Sequence, residues 1–204
     1  MTARDAIGLF GGSFDPPHTG HLILAERAAD VLGLSRVLFI PTGTPPHKDT
    51  RALSPFEHRR RMTELAIAGN DRFELSLVEE GDEPSFTWQT LERFAAAGYV
   101  RERLHLVVGE DSLADMDAWR RPDLICRLAT IVAMRRTGDG GIPLPPADAA
   151  VVFLETGANA VSSTDIRRLV AGGRSIRYLV PAPVEAYIRA HGLYRGGDPG
   201  ERQP

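Results

Sequence analysis

The chain has 204 residues, enough to bury one substantial core, and 43% hydrophobic with 25% charged residues is the balance of a globular protein. A formal net charge of -3 and a sequence pI of about 6.1 argue against wholesale binding to nucleic acid or to an acidic membrane surface, so any anion site must be a local concentration of charge. The single cysteine, Cys126, cannot form an intramolecular disulfide, no apolar run approaches membrane-spanning length, and no cleavable leader pattern opens the chain, which together point to a reducing cytoplasm. Short β-rich runs then alternate with helical patterns. Strands are predicted over residues 7–10, 37–40, 73–77, 104–108, 130–133 and 151–154, and helices near 20–32, 55–68, 85–97, 111–127, 163–171 and 183–191. Cys126 sits in the apolar stretch 124–128 and reads as a small buried residue rather than a nucleophile. The Gly- and Pro-rich segment 137–150 reads as a surface loop, and residues 196–204 as a disordered tail after a single domain spanning 1–195. The alternation predicts an α/β fold, a doubly wound, Rossmann-like parallel sheet with helices on both faces and ligands at the carboxyl ends of its strands.

The most informative residues are Gly11-Gly12-Ser13-Phe14-Asp15-Pro16-Pro17-His18-Thr19-Gly20-His21, which join the first strand to the first helix. Paired glycines at a strand end let a polyphosphate approach the main chain, and the following helix N-terminus favours negative charge. His18 and His21, three residues apart, fall on one face of the first helical turn, toward the same place. Alone, two glycines after a strand make a turn, and a lone histidine is usually a structural hydrogen-bonder; their compression into one joint favours a nucleotide triphosphate pocket. Neither a G-x-x-x-x-G-K-[ST] phosphate loop nor a G-x-G-x-x-G after the first strand occurs, so a P-loop NTPase and an ordinary dinucleotide-binding enzyme do not fit. A second joint lies near the end of the chain. Ser162 and Asp165 have capping-box spacing and predict a helix start with Ser163 and Thr164 in its first turn and Arg167 close behind.

The eleven-residue run resembles the signature of the H-x-G-H nucleotidyltransferase superfamily, and within it bacterial nicotinate-nucleotide adenylyltransferase. Pro45-Pro46-His47-Lys48, Pro84-Ser85-Phe86-Thr87, Gly109-Glu110-Asp111-Ser112-Leu113, Trp119, Arg135-Arg136 and Val161-Ser162-Ser163-Thr164-Asp165-Ile166-Arg167 occur in that family's order, so the similarity spans roughly residues 7–194. The resemblance implies transfer of AMP from ATP to nicotinate mononucleotide, with His18, His21, Lys48 and Arg167 as the catalytic group. It implies ATP contacts from Gly11, Gly12, Ser13, Phe14, His18 and His21, from Gly109, Asp111 and Ser112 around the adenosine, and from Ser163, Thr164 and Arg167 at the β and γ phosphates. Around the acceptor it implies Asp15 together with Thr87, Trp119 and Arg120 near the pyridine ring, and His47, Lys48 and Arg136 nearer the phosphate.

Three positions depart from the family pattern: Arg120 stands where an aromatic is common, Thr137 where proline is common and Val161 where isoleucine is common. None removes a reacting group. The acceptor phosphate, with a second pKa of about 6, needs no side-chain base, so positioning and charge stabilisation should dominate. Mg2+ is expected with ATP, held mainly by phosphates and water, and no metal ligand is assigned to the protein. Two alternatives stay open: a sibling nucleotidyltransferase using nicotinamide mononucleotide or phosphopantetheine, and a catalytically silent nucleotide sensor, which intact His18, His21 and Arg167 disfavour. A homo-oligomer is compatible with the sequence.

Overall fold

A computed structural model of the protein describes residues 5–44, 53–81, 83–135, 149–155 and 161–195. Six strands form one sheet: β1 (Ile7–Gly12), β2 (Arg36–Pro41), β3 (Phe73–Leu75), β4 (Leu104–Val108), β5 (Thr130–Arg135) and β6 (Val151–Glu155). Every pairing is parallel and the order is β3-β2-β1-β4-β5-β6. The chain therefore winds outward from β1 in one direction, then crosses to β4 and winds in the other. This is the doubly wound arrangement expected, with its switch point between the ends of β1 and β4.

Burial of both sheet faces explains why the strands read as unbroken apolar runs. Ile7 and Leu9 pack into one cluster with Leu38, Ile40, Leu106 and Ile131, while Phe10 packs into another with Val37, Phe39, Val107 and Val132 on the opposite face. The helix α1 (Thr19–Val31) covers the second face through Leu24, Ala25, Ala28 and Ala29. Small alanines allow it to lie close to the sheet. A third apolar cluster joins α2 (Phe56–Ile67), α6 (Ser163–Ala171) and α7 (Ala182–Ala190), through Met62, Ile166, Val184 and Ile188.

Two helices differ from the sequence expectation. α3 (Thr87–Ala96) starts slightly later than expected, with Phe86 at its N-cap. The single helix predicted over 111–127 is instead broken into α4 (Glu110–Ala114), a 3-10 turn at Met116–Ala118 and α5 (Pro122–Leu128). Proline is favoured at the first position of a helix and disfavours α geometry in the residue before it, and Arg121 duly takes a left-handed conformation, φ 56°. The expectations for 137–150 and 196–204 fall almost wholly outside the described residues. Among the described residues, no helix is long and apolar enough to cross a membrane.

Candidate active site

The turn leaving β1 is held in an uncommon shape. Phe14 has φ 48°, a left-handed conformation that costs a bulky residue on the order of 1–2 kcal/mol. Burial of its ring, 2% exposed, offsets that cost. The ring meets Phe10 edge-on at 5.5 Å and His21 at 5.1 Å, and a Cβ on Gly12 would come within 3.2 Å of it. A side chain at position 12 would therefore crowd the folded-back Phe14. Phe14, expected at ATP, has its side chain in the core under His21, which leaves only its main chain to meet a nucleotide.

At the head of α1, His18 is the N-cap and its ring stacks on that of His21 at 3.7 Å between centroids. The His18 backbone N–H donates to Nδ1 of His21 (3.1 Å). With Nδ1 accepting, a neutral His21 carries its proton on Nε2, where it can donate outward. His18 is buried, and burial lowers its pKa from 6.5 to about 4. It is a neutral hydrogen-bond donor at neutral pH rather than a fixed cation. Its ring lies so close to Gly20 that a Cβ there would sit 3.0 Å from Nδ1, which gives the glycine between the histidines a steric reason.

The helix α6 closes on the same turn. Ser162 caps it by accepting from the Asp165 amide (3.1 Å), as the spacing predicts. Ser163 donates to the Pro16 carbonyl (2.9 Å), and Arg167 donates from Nη1 to the Asp15 carbonyl (2.9 Å) and from Nη2 to Thr164 (3.3 Å). A helix N-terminus, two hydroxyls and a guanidinium therefore stand beside the histidine pair. That combination favours an anion. Arg168 is exposed and makes a long 3.8 Å contact with Asp165.

On the other side of the turn lies a cavity of about 560 Å³ at the carboxyl ends of β1 and β4. Gly11, Gly12, Ser13, Gly109, Ser112, Thr87, Trp119 and Arg120 all line it, and Leu9, Ile40, Leu106 and Ile125 form apolar wall. An added Cβ at Gly11 or Gly109 would meet no atom within 4 Å, so both glycines open onto space. The break before α5 leaves Trp119 extended and half-buried at this cavity. Arg120 stacks over Phe86 at 4.8 Å and Arg121 over Trp88 at 5.0 Å, fastening the 119–121 segment to the start of α3. The structure thus gathers the predicted residues into two groups that meet at Ser13. His18, His21, Ser163, Thr164 and Arg167 surround the turn, and the cavity residues lie beyond it.

Several residues stand elsewhere. His47, Lys48 and Arg136 lie outside the described residues, and Asp111 is described only as a position of α4. Asp15, expected at the acceptor, is 1% exposed; its carboxylate accepts from the Ser54 amide (3.1 Å) and from the Tyr194 hydroxyl (2.6 Å), and the residue is not among those lining the cavity. Two residues were missed. Arg59 is 2% exposed and spends its guanidinium on the carbonyls of Ser13, Thr42, Gly43 and Ser54, which ties the ends of β1 and β2 to α2; burial lowers its pKa and Asp15 opposes that shift. Its signal was present, since Arg59, Met62, Thr63 and Ala66 share one helical stripe. Glu79 lines the cavity and accepts from Thr90 (2.7 Å) and Ser85 (3.0 Å); burial raises its pKa, and the two hydroxyls lower it. Nothing in its local sequence marked it. Among the described residues, no group of three or more His, Cys, Asp or Glu is placed to hold a metal ion.

Comparison with known proteins places this geometry in a family. The sequence model of the cytidylyltransferase-like family matches residues 9–169. A relative from Thermus thermophilus, named a probable nicotinate-nucleotide adenylyltransferase, is 45% identical over 190 residues, covering 93% of this chain and 99% of its own. One of the same name from a Roseiflexus species is 45% identical over 197 residues, covering 93% and 98%. In three dimensions the chain superposes on the Plasmodium falciparum nicotinic acid mononucleotide adenylyltransferase complexed with NaAD at a TM-score of 0.77, with 16% identity over 95% of this chain and 99% of that one. At that identity the likeness speaks for the fold.

Proposed function

The chain belongs to the nicotinate-nucleotide adenylyltransferase family, and from that premise we propose that it transfers AMP from ATP to nicotinate mononucleotide. The observation that carries this reading is the junction at Ser13: a histidine pair and a helix N-terminus suited to phosphates on one side, a walled cavity suited to a ring on the other.

In this reading ATP lies along the turn. An oxygen of the acceptor phosphate attacks the α-phosphorus, the new phosphorus–oxygen bond forms, and the bond from the α-phosphorus to the bridging oxygen breaks, releasing pyrophosphate. No proton needs to be removed, because the attacking phosphate is already an anion at neutral pH. His18 and His21 donate from Nε2 to oxygens of the α-phosphate and the bridge as charge moves toward pyrophosphate. The amides of Ser163 and Thr164 and the Thr164 hydroxyl hold the β and γ phosphates, the Ser163 hydroxyl being spent on the Pro16 carbonyl, and Arg167 offsets repulsion between the two phosphate anions. Lys48, and the acceptor-phosphate contacts His47 and Arg136, enter through the family resemblance alone. Gly109, Asp111 and Ser112 take the adenosine half.

The pyridine ring of the acceptor stacks on Trp119, and its carboxylate accepts from Thr87 and the backbone after Trp119. Magnesium comes with ATP as part of the substrate, coordinated by phosphate oxygens and water.

The test is pyrophosphate release from ATP with a panel of phosphorylated acceptors. Turnover highest with nicotinate mononucleotide supports the reading. Turnover with phosphopantetheine alone would replace it by the sibling reaction, and binding of ATP without turnover on any acceptor would replace it by a nucleotide sensor.

A further inference from the structure

Tyr194 lies near the end of the described chain, well past residue 169 where the cytidylyltransferase-like match stops. Its ring packs in the third apolar cluster with Met62, Ile166 and Val184, yet its hydroxyl leaves that cluster to donate to Oδ1 of Asp15 at 2.6 Å. Asp15 is the residue in the β1–α1 turn whose carbonyl receives Arg167. Its other carboxylate oxygen is already taken by the Ser54 amide, and the next carbonyl, of Pro16, receives Ser163. Asp15 is therefore the point where the segment following α7, the entry to α2 and the phosphate-side helix α6 converge on one turn.

We propose that Tyr194 is a positioning residue for adenylyl transfer: its hydrogen bond fixes Asp15, and through the Asp15 carbonyl fixes Arg167 over the triphosphate. The reasoning is geometric. Arg167 has a flexible stem, and its Nη1 is aimed by a backbone carbonyl of the turn itself. That carbonyl is only as well placed as the residue carrying it. The Asp15 side chain is buried and has two anchors; removing the Tyr194 hydroxyl leaves one carboxylate oxygen without its donor, so the turn must shift or admit water to satisfy it. A segment past the stretch matched by the cytidylyltransferase-like model thereby controls the geometry of the triphosphate end.

The proposal rests on the adenylyl-transfer reading for its kinetic arm and is tested independently by binding. Tyr194→Phe keeps the ring in the apolar cluster and deletes only the hydroxyl. Turnover is expected to fall about tenfold, the scale of one hydrogen bond to a charged group, while KM for the acceptor stays within about twofold. Affinity for a non-hydrolysable ATP analogue, measured by calorimetry, is expected to weaken about threefold to tenfold on the same grounds. In an Arg167→Ala background the further loss from Tyr194→Phe is expected to vanish, because the path it acts through is gone. Tyr187→Phe is the matched control, since on α7 it removes a hydroxyl contact to His58 of α2 (3.0 Å) and serves no part of the turn; it should leave turnover and analogue affinity unchanged.

Wild-type turnover and wild-type analogue affinity in Tyr194→Phe would overturn the proposal. So would an undiminished loss in the Arg167→Ala background, which would mean that Tyr194 acts by another path. If the wild-type enzyme proved inactive on every acceptor, the functional reading would fall while analogue affinity still decided the role of Tyr194.

Discussion

Replacing His18 by Gln keeps a polar side chain at the head of α1 and removes the group that titrates. His18 is 7% exposed, and its pKa is lowered by burial from 6.5 to about 4. Between those values the unfolded chain binds a proton that the folded chain refuses. The stability that depends on a neutral His18 is therefore complete above pH 6.5 and is lost as pH falls toward 4. At about 1.4 kcal/mol per pH unit the loss over this window is roughly 3 kcal/mol, a large share of a typical domain stability. Urea unfolding of the wild type and of His18→Gln, followed at about pH 7, 6, 5 and 4, isolates the effect because the carboxylates common to both proteins largely cancel. The stability difference is expected to move by roughly 3 kcal/mol in favour of the variant as the medium is acidified. A difference that stays constant with pH would refute the burial argument and return His18 to an ordinary surface histidine. The kinetic companion is His18→Ala at about pH 7, expected to lower turnover by about 10^2 to 10^3, the range for loss of one transition-state donor, with the fold intact.

Two further substitutions separate the ends of the site. Arg167→Ala should raise KM for ATP and lower turnover while acceptor binding changes little, and titration with each substrate alone reads the distinction; the reverse pattern would move α6 away from the triphosphate. Hydrogen bonds to an anion are roughly twice as strong as neutral ones, so the wild type should prefer nicotinate over nicotinamide mononucleotide in kcat/KM. Trp119→Ala should weaken use of both pyridine acceptors more than it weakens ATP, whereas equal use of acid and amide by the wild type would reject the proposed contacts to the carboxylate.

Each part of the junction at Ser13 has a separate physical cause. A Cβ would crowd the Phe14 ring at Gly12 and the His18 ring at Gly20, whereas Gly11 and Gly109 simply leave room. The same eleven-residue run thus supplies two clearances inside the protein and one opening toward a ligand. Arg59 fixes the Ser13 carbonyl at the middle of this arrangement, so a residue on α2 that touches neither proposed substrate site sets the position of the residue where the two meet.

Local patterning was enough for the strands, the parallel alternation and the histidine turn. Central parallel strands are buried on both faces, so their apolar runs stand out, and the Ser162–Asp165 cap is made by residues three apart in sequence. The break at Trp119 was half legible: Pro122 announced a new helix, but the apolar period on either side suggested one continuous element. Asp15, Arg59 and Glu79 were another matter. Asp15 reads locally as a ligand contact within a functional motif, and only a residue 179 positions away turns its carboxylate into an internal anchor. Arg59 shares a helical stripe with Met62, Thr63 and Ala66, a partial signal of burial, but what its guanidinium holds is decided only when the carbonyls of two strand ends arrive around it. Glu79 has no signature until folding brings Ser85 and Thr90 to it at the cavity wall. Sequence determined what short-range periodicity, capping and motif spacing can encode, and tertiary structure alone decided which charged groups became buried, because desolvation and its compensating hydrogen bonds depend on partners that only the folded chain brings together.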